Sequence, residues 1–128
     1  MKKLLILPLA AVLAGCSILH PVTPYQKMKS IGGYDDIRLD ETTWRVRAKV
    51  NNNSNISRSD DIALLRASEI ACQNGYQSFD IINQAYSRGY SIKDTTVTVQ
   101  MRNHGGVNAP SLMKQLTEKL NAKTDCSF

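Results

Sequence analysis

The sequence predicts an α+β fold, a two-layer sandwich in which two helices cover one face of a four-stranded, mainly antiparallel sheet. Residues 34–40 and 43–50 each alternate polar and apolar side chains, which is the period of half-buried strands. Residues 59–74 instead form the broad apolar surface of a helix that lies on a sheet. A second pair of strand-like segments and a second apolar stripe follow, so the predicted order is ββαββα over residues 34–128.

The first two strands are predicted to form a hairpin, because only the short polar segment 40–42 separates them. Ile37 and Leu39 share one face of the first strand, and we expect that face to be turned to the core. The second strand is expected to turn four apolar residues inward: Trp44, Val46, Ala48 and Val50.

The helix over residues 59–74 has recognisable start and stop signals. Ser57 or Ser59 can cap its free amides, and Asp60 and Asp61 place negative charge in the first turn, where the helix dipole favours it. Gly75 is expected to end the helix, since glycine readily adopts the left-handed cap conformation.

The second half of the chain repeats the pattern of two strands and a helix. Residues 79–85 and 91–101 are predicted strands, and the glycine-containing segment 86–90 between them favours a hairpin turn. The last helix begins near Pro110, a residue favoured in the first helical turn. Its apolar stripe consists of Leu112, Met113, Leu116 and Leu120.

The start of the chain has the features of a secretory signal peptide. Lys2 and Lys3 precede an apolar run over residues 4–14, and small residues follow it. A transmembrane helix is the alternative, but it needs about 20 apolar residues, and this run is much shorter. We therefore expect residues 1–15 to be cleaved.

The segment Leu13, Ala14, Gly15 and Cys16 resembles the lipobox of bacterial lipoproteins. The resemblance implies that Cys16 is lipidated and becomes the first mature residue, and that Ser17 after it favours the outer membrane. More than one acyl chain makes such an anchor stable. Residues 16–33, which contain prolines, lysines and a closing Gly-Gly, are predicted to be a flexible tether to a periplasmic domain over residues 34–128.

Two cysteines remain once Cys16 carries lipid, and they are Cys72 and Cys126. In an oxidising compartment they have one possible intramolecular pairing. The resulting loop of about 55 residues would contribute about 4 kcal/mol in the chain-entropy model. A redox or catalytic thiol is the alternative, but the sequence has neither CxxC spacing nor a neighbouring histidine.

Three segments resemble a family of small proteobacterial outer-membrane lipoproteins of uncharacterised function. They are GGY at residues 32–34, RSDDIALLRASEIACQNGY at residues 58–76, and the following Phe79. The second segment is similar to the family's "ALLRAAE…NGY" helix core. Residues 51–57 depart from the pattern, because relatives tend to have a glycine and an aromatic residue there. The resemblance implies a location and a fold, but no reaction.

The candidate partner surface comprises Arg45, Arg47, Lys49, Tyr86 and Tyr90. The three basic residues share the outward face of the second strand, and Arg38 is expected to lie across from them. They could meet an acidic partner, lipid headgroups or cell-wall carboxylates. The alternative is a solvated face, neutralised by Asp36 and Asp40, that discourages edge pairing. The tyrosines flank the predicted turn, and tyrosine supplies contact area at little entropy cost.

No catalytic constellation is apparent in the sequence, and we predict no enzyme, no cofactor and no metal. His104 is the one histidine of the predicted domain, and it lacks companions at ligand spacing. Arg66 and Glu69, one helical turn apart, are expected to form a structural pair. Asp60 and Asp61 are expected to stabilise the start of the helix as capping residues rather than to act as a catalytic carboxylate pair.

The charge balance argues against nucleic acid as a partner. The formal net charge is +5, and cleavage of residues 1–15 removes Lys2 and Lys3, which leaves +3. Nucleic-acid-binding domains usually have a stronger and more clustered basic character. The sequence therefore favours a non-enzymatic envelope binding, accessory or sensor module. The alternatives are a small lipoprotein subunit of a secretion or conjugation machine, and an envelope hydrolase that uses His104.

Overall fold

The computed structural model describes residues 21–89 and 92–128. The predictions for residues 1–15, Cys16, Ser17 and Tyr90 lie outside these residues. The α+β fold and the ββαββα order are confirmed. The elements are strands β1 (Gly32–Arg38) and β2 (Thr43–Asn51), helix α1 (Ile56–Gln73), strands β3 (Ser78–Arg88), β4 (Ile92–Arg102) and β5 (Val107–Asn108), and helix α2 (Ala109–Leu120).

The sheet has five strands in the order β1-β2-β4-β3-β5, and every neighbouring pair is antiparallel. The fifth strand corrects the prediction of four. It comprises only Val107 and Asn108, which pair with Phe79 and Ser78. A strand of two residues is too short to show a period of two in the sequence.

The core lies between one face of the sheet and the two helices. The four inward residues predicted for β2 are all buried, as are Val97, Val99 and Met101 of β4. Ile62, Leu65 and Ile70 of α1 pack on them. Among the described residues, no helix has both the length and the apolar character needed to cross a bilayer.

The face of β1 that packs on the core is the opposite of the predicted one. Ile37 is 60% exposed and Leu39 is 44% exposed, whereas Tyr34 is buried. The β1–β2 register places Tyr34 opposite Ala48 and Asp36 opposite Val46, both on the inner face. Because side chains alternate strictly along a strand, Ile37 must then point outward.

The start of α1 also differs from the prediction. The helix begins at Ile56, and Asn55 occupies the N-cap position without a side-chain hydrogen bond. Ser59 does not cap the helix; its Oγ donates to the carbonyl of Ile56 at 2.8 Å. Asp60 and Asp61 lie beyond the first turn and serve tertiary contacts instead.

The end of α1 follows the prediction. Gly75 has a φ of 79°, the left-handed conformation. The amide of Tyr76 donates to the carbonyl of Ala71 at 2.9 Å, and the amide of Gly75 donates to the carbonyl of Cys72 at 3.3 Å. This pair of bonds is a Schellman motif, which satisfies carbonyl groups at the helix end.

Residues 21–33 pack on the domain, which differs from the predicted tether over residues 16–33. Thr23 is fully buried, and Tyr25 packs against the core. Lys27 and Lys29 form isolated bridges to Tyr34 and Gly32 at the start of β1. Hydrogen bonds of single side chains and isolated bridges hold this segment, so no periodic pattern reveals it in the sequence.

Candidate functional site

The three basic residues of the predicted partner surface lie on the face of β2 that no helix covers. The register places Asp35 of β1 opposite Arg47, and Asp94 of β4 opposite Lys49. Arg47 Nε is 3.9 Å from Asp94 Oδ2. Carboxylates therefore interrupt the basic row, and Arg45, which lies between Ile37 and Thr98, has no acidic residue directly opposite.

The residues predicted to neighbour this row lie elsewhere. Arg38 belongs to the other face, where its guanidinium is 4.8 Å from the centre of the Trp44 ring. Asp36 pairs with Arg66 at 2.6 Å. Asp40 accepts a hydrogen bond from the Thr42 amide at 2.9 Å, and this bond lowers the pKa of its carboxyl. The prediction for Arg38, Asp36 and Asp40 is wrong because β1 presents its opposite face.

Tyr86 lies on the helix-side face of the sheet, opposite Thr95. It is 53% exposed, and its hydroxyl accepts a hydrogen bond from Gln84 Nε2 at 2.6 Å. The sheet therefore separates Tyr86 from Arg45 and Arg47. The structure therefore does not bring Tyr86 together with the basic residues of β2.

The outer edge of β3 is a feature that the sequence analysis missed. β5 covers only Ser78 and Phe79, and the register with β4 shifts between Ile81 and Asn83, which is a β-bulge. Ile81 and Ile82 are both exposed beside it. Phe79, Asp80 and Ile81 alternate between apolar and polar, and Ile82 breaks that alternation, which is the sequence signal available for such a bulge.

A buried polar cluster joins β1, α1 and both ends of the described chain; we call it the Glu69 cluster. Glu69 Oε1 accepts hydrogen bonds from the Tyr25 hydroxyl at 2.8 Å and from Arg66 Nη1 at 2.8 Å. Glu69 Oε2 accepts from the Asp125 amide at 2.6 Å. Arg66 also donates to Asp36 and lies 4.8 Å from the Tyr34 ring centre. The predicted Arg66–Glu69 pair is confirmed.

The environment of the cluster shifts the pKa values of its members. Burial, followed by the Glu69 carboxylate, raises the pKa of the Tyr25 phenol. Burial alone would lower the pKa of Arg66, but hydrogen bonds to Asp36 and Glu69 outweigh it and raise that pKa. Since Glu69 is only 1% exposed, its carboxylate does not reach a ligand from solvent. The hydrogen bonds of Glu69 to Tyr25, Arg66 and Asp125 stabilise the fold by joining distant parts of the chain.

A disulfide joins Cys72 near the end of α1 to Cys126 in the C-terminal tail, as predicted from the sequence. The S–S distance is 2.01 Å and the two Cα atoms are 6.0 Å apart. Cys126 directly follows Asp125, whose amide binds Glu69. The covalent bond and the hydrogen bond therefore hold the same short stretch of tail against α1.

Thr23 fixes the N-terminal segment at the end of the sheet where β2 finishes. Its amide donates to Ser54 Oγ at 2.9 Å, and its hydroxyl donates to the carbonyl of Ile31 at 2.7 Å. That hydroxyl also accepts from the Asn51 amide at 2.9 Å, and Arg58 Nε donates to the Thr23 carbonyl at 2.5 Å. Every polar atom of this buried threonine is satisfied.

The remaining candidate residues occupy structural or exposed positions. Asp60 accepts a hydrogen bond from Thr95 Oγ1 at 2.8 Å, and Asp61 pairs with Lys119 at 2.8 Å. His104 is exposed in the bend between β4 and β5. Within residues 21–89 and 92–128, no group of three His, Cys, Asp or Glu side chains is arranged to hold a metal ion.

Comparison of the chain with protein-family models, with curated protein sequences and with solved structures found no match in any of the three.

Proposed function

We propose that this chain is a lipid-anchored protein of the bacterial outer membrane, with a periplasmic domain that binds another envelope component without catalysing a reaction. The observation that carries the proposal is the Cys72–Cys126 disulfide. The sequence has three cysteines, so Cys16 of the lipobox-like segment is the one left for acylation.

The disulfide supports a location outside the cytoplasm, because reducing systems keep cytosolic thiols unpaired. The apolar run over residues 4–14 supports export to that location. Ser17 and the resemblance of residues 58–76 to small proteobacterial lipoproteins favour the outer membrane among the possible destinations.

A binding role rests on the surfaces that the fold leaves uncovered. The sheet face with Arg45 and Arg47 has no helix over it, and its mixture of basic, acidic and threonine side chains suits a polar partner. The exposed edge of β3 offers the aromatic ring of Tyr86, together with backbone N–H and C=O groups that can pair with a strand of a partner. These two surfaces face different directions, so we propose them as separate candidates for the contact with a partner.

Acylation is tested by metabolic labelling of cells with an alkyne analogue of palmitate and by mass spectrometry of the mature N-terminus. We expect label on the native protein, a mature chain that begins at Cys16, and recovery in the outer-membrane fraction. The Cys16→Ser variant should lose the label and remain uncleaved. A native chain without acyl groups would refute the anchor.

Binding is tested by photo-crosslinking in cells, with the reactive side chain placed at Arg45 on one face or at Tyr86 on the other. Gln115, an exposed position in the middle of α2, serves as the matched control. We expect a specific envelope protein or polymer to be captured from at least one of the two candidate positions and not from Gln115. Identical capture from all three positions would argue against a specific contact surface.

A further inference from the structure

The chain leaves the domain toward Cys16 at one defined end of the sheet. Asn51 Nδ2 donates to the carbonyl of Pro21 at 2.9 Å, and the bonds of Thr23 hold the following residues. Asn51 is the last residue of β2, so Pro21 is attached where that strand finishes. The β1–β2 hairpin, at Leu39 to Thr43, lies at the opposite end of the same strand pair.

The length of chain between Cys16 and Pro21 is short compared with the domain. Five residues span at most about 17 Å when fully extended. β2 alone, with nine residues, extends about 30 Å. A lipid-bearing Cys16 therefore holds the Pro21 end of the domain close to the headgroups, whereas the hairpin end can be much farther away.

The exposed side chains at this end have the chemistry of a membrane contact. Val22 is 45% exposed, Ile31 is 42% exposed and Ile92 is 37% exposed. Val22 lies beside the cavity of about 180 Å³ that Arg58 and Lys119 also line, and Ile31 and Ile92 line a cavity of about 230 Å³ with Lys49. Apolar side chains next to basic ones suit the boundary between phosphate headgroups and acyl chains.

The charges at this end favour an anionic surface. The basic residues there are Lys49, Arg58, Arg88, Lys93 and Lys119. The acidic residues are Asp60, Asp61, Asp94 and Glu118, of which Asp61 already pairs with Lys119. The excess of basic groups complements phosphates of anionic lipids within about a Debye length of the membrane.

We propose that this end of the domain, which we call the anchor face (Val22, Ile31, Lys49, Arg58 and Ile92), rests on the phospholipid headgroups of the membrane that carries the lipid anchor. The inference rests on the proposed acylation of Cys16. The proposal adds an orientation of the domain. The β1–β2 hairpin points away from the membrane, and both faces of the sheet stand at a steep angle to the membrane plane. Both candidate partner surfaces are then reachable from the periplasm.

The test uses the mature acylated protein in vesicles of phosphatidylethanolamine with phosphatidylglycerol as the minor component. Because acylation and the disulfide occupy the natural cysteines, a single introduced cysteine can carry a nitrobenzoxadiazole fluorophore. The Ile31→Cys variant reports on the anchor face. The Ile37→Cys variant is the matched control, since Ile37 is an exposed isoleucine about 17 Å along β1 from Gly32.

We expect a lipid with a nitroxide on its headgroup to quench the fluorophore at position 31 at least about twofold more strongly than the fluorophore at position 37. The reason is that the five-residue connection limits the distance between position 31 and the membrane. Removal of the phosphatidylglycerol should reduce this difference. Mass spectrometry of the same sample establishes whether Cys16 carries acyl chains.

The outcomes separate the orientation from the anchor. An acylated protein with equal quenching at both positions, or stronger quenching at position 37, would overturn the orientation and leave the proposed function standing. A protein without acyl chains would overturn both. Preferential quenching at position 31 in the acylated protein supports the orientation.

Discussion

The carboxylate of Glu69 and the backbone amide of Asp125 form a hydrogen bond of 2.6 Å across 56 residues of sequence. Glu69 is buried in α1, and Asp125 belongs to the tail that the disulfide holds. The helix thus uses one carboxylate to hold the N-terminal segment through Tyr25 and the tail through Asp125.

Replacement of Glu69 by alanine should be strongly destabilising. The Glu69→Ala variant leaves the Tyr25 hydroxyl and part of the Arg66 guanidinium without their acceptor inside the protein. Breaking a buried ion pair on one side costs about 3–5 kcal/mol, which urea unfolding measures. The control is Glu118→Ala on the exposed side of α2, with a change of about 0.5 kcal/mol or less. Equal effects of the two substitutions would contradict the structural role of the cluster.

Loss of the disulfide should destabilise the fold and release the tail. The double variant Cys72→Ala with Cys126→Ala removes a crosslink over a separation of 54 residues. The chain-entropy model gives a loss of about 4 kcal/mol for a loop of that length. Hydrogen exchange should show faster exchange of the Asp125 amide. Combination with Glu69→Ala should cost less than the sum of the separate changes, because both hold the same stretch of tail.

The raised pKa of Tyr25 predicts a loss of stability in alkaline solution. Unfolded tyrosine releases its proton near its ordinary pKa of 10.0, whereas burial and the Glu69 carboxylate keep the folded side chain protonated. The unfolded chain therefore binds fewer protons than the folded one above pH 10, so stability is complete below that pH and falls as the pH rises. Burial also raises the pKa of Tyr34, which adds to the fall.

Urea midpoints at several pH values check this dependence. The Tyr25→Phe variant should lose about 1–3 kcal/mol at neutral pH, because Glu69 and Arg66 are left with an incomplete network. It should also show a weaker decline above pH 10 than the native protein. Tyr86→Phe, at an exposed position on β3, should leave the alkaline decline unchanged. An unaltered decline in Tyr25→Phe would assign the alkaline sensitivity to other groups.

Thr23→Val should release the N-terminal segment without changing the volume of the side chain. The variant leaves the Asn51 amide and the Ile31 carbonyl without the hydroxyl that joins them. We expect a loss of about 1–3 kcal/mol and faster hydrogen exchange in residues 21–31. Thr98→Val, on the uncovered face of the sheet, is the control and should change stability little. Unchanged exchange in residues 21–31 would show that Thr23 does not hold this segment.

Alanine at Gly33 should be more damaging than alanine at Gly75. Both glycines have positive φ, 138° and 79°. A Cβ at Gly33 would lie 2.5 Å from the carbonyl oxygen of Gln26 and 2.7 Å from that of Lys27, whereas Gly75 has open space around it. Gly33→Ala should therefore cost about 1–3 kcal/mol more in thermal or urea unfolding. Equal costs would mean that the backbone conformation alone determines the effect.

The sequence predicted the elements whose side chains repeat regularly. β2, β4 and α1 have long apolar patterns, and the structure buries the residues that those patterns select, such as Val46, Val97 and Ile62. The pairing of Cys72 with Cys126 and of Arg66 with Glu69 also followed from composition and spacing. The strands and the helix depend on local periodicity, and the two pairs depend on residues that have few possible partners.

The features that the sequence did not predict depend on single tertiary contacts. On the inward face of β1, Arg66 binds Asp36 and covers the ring of Tyr34. The opposite face, with Ile37 and Leu39, is therefore turned to solvent. The N-terminal segment is held by the hydrogen bonds of Thr23 and Tyr25. The sequence analysis places Arg45 and Tyr86 on one candidate partner surface. The strand register instead puts them on opposite faces of the sheet.

The separation of Cys72 from its partner has a consequence for the order in which the domain assembles. A chain that emerges from its N-terminus delivers Tyr25, Arg66 and Glu69 early, so one oxygen of the Glu69 carboxylate can find its donors while synthesis or translocation continues. The donor to the other oxygen, the Asp125 amide, emerges 56 residues after Glu69. Cys126 emerges 54 residues after Cys72. Throughout that interval the Cys72 thiol can be oxidised or can exchange with a foreign disulfide, and formation of the bond to Cys126 ends its exposure.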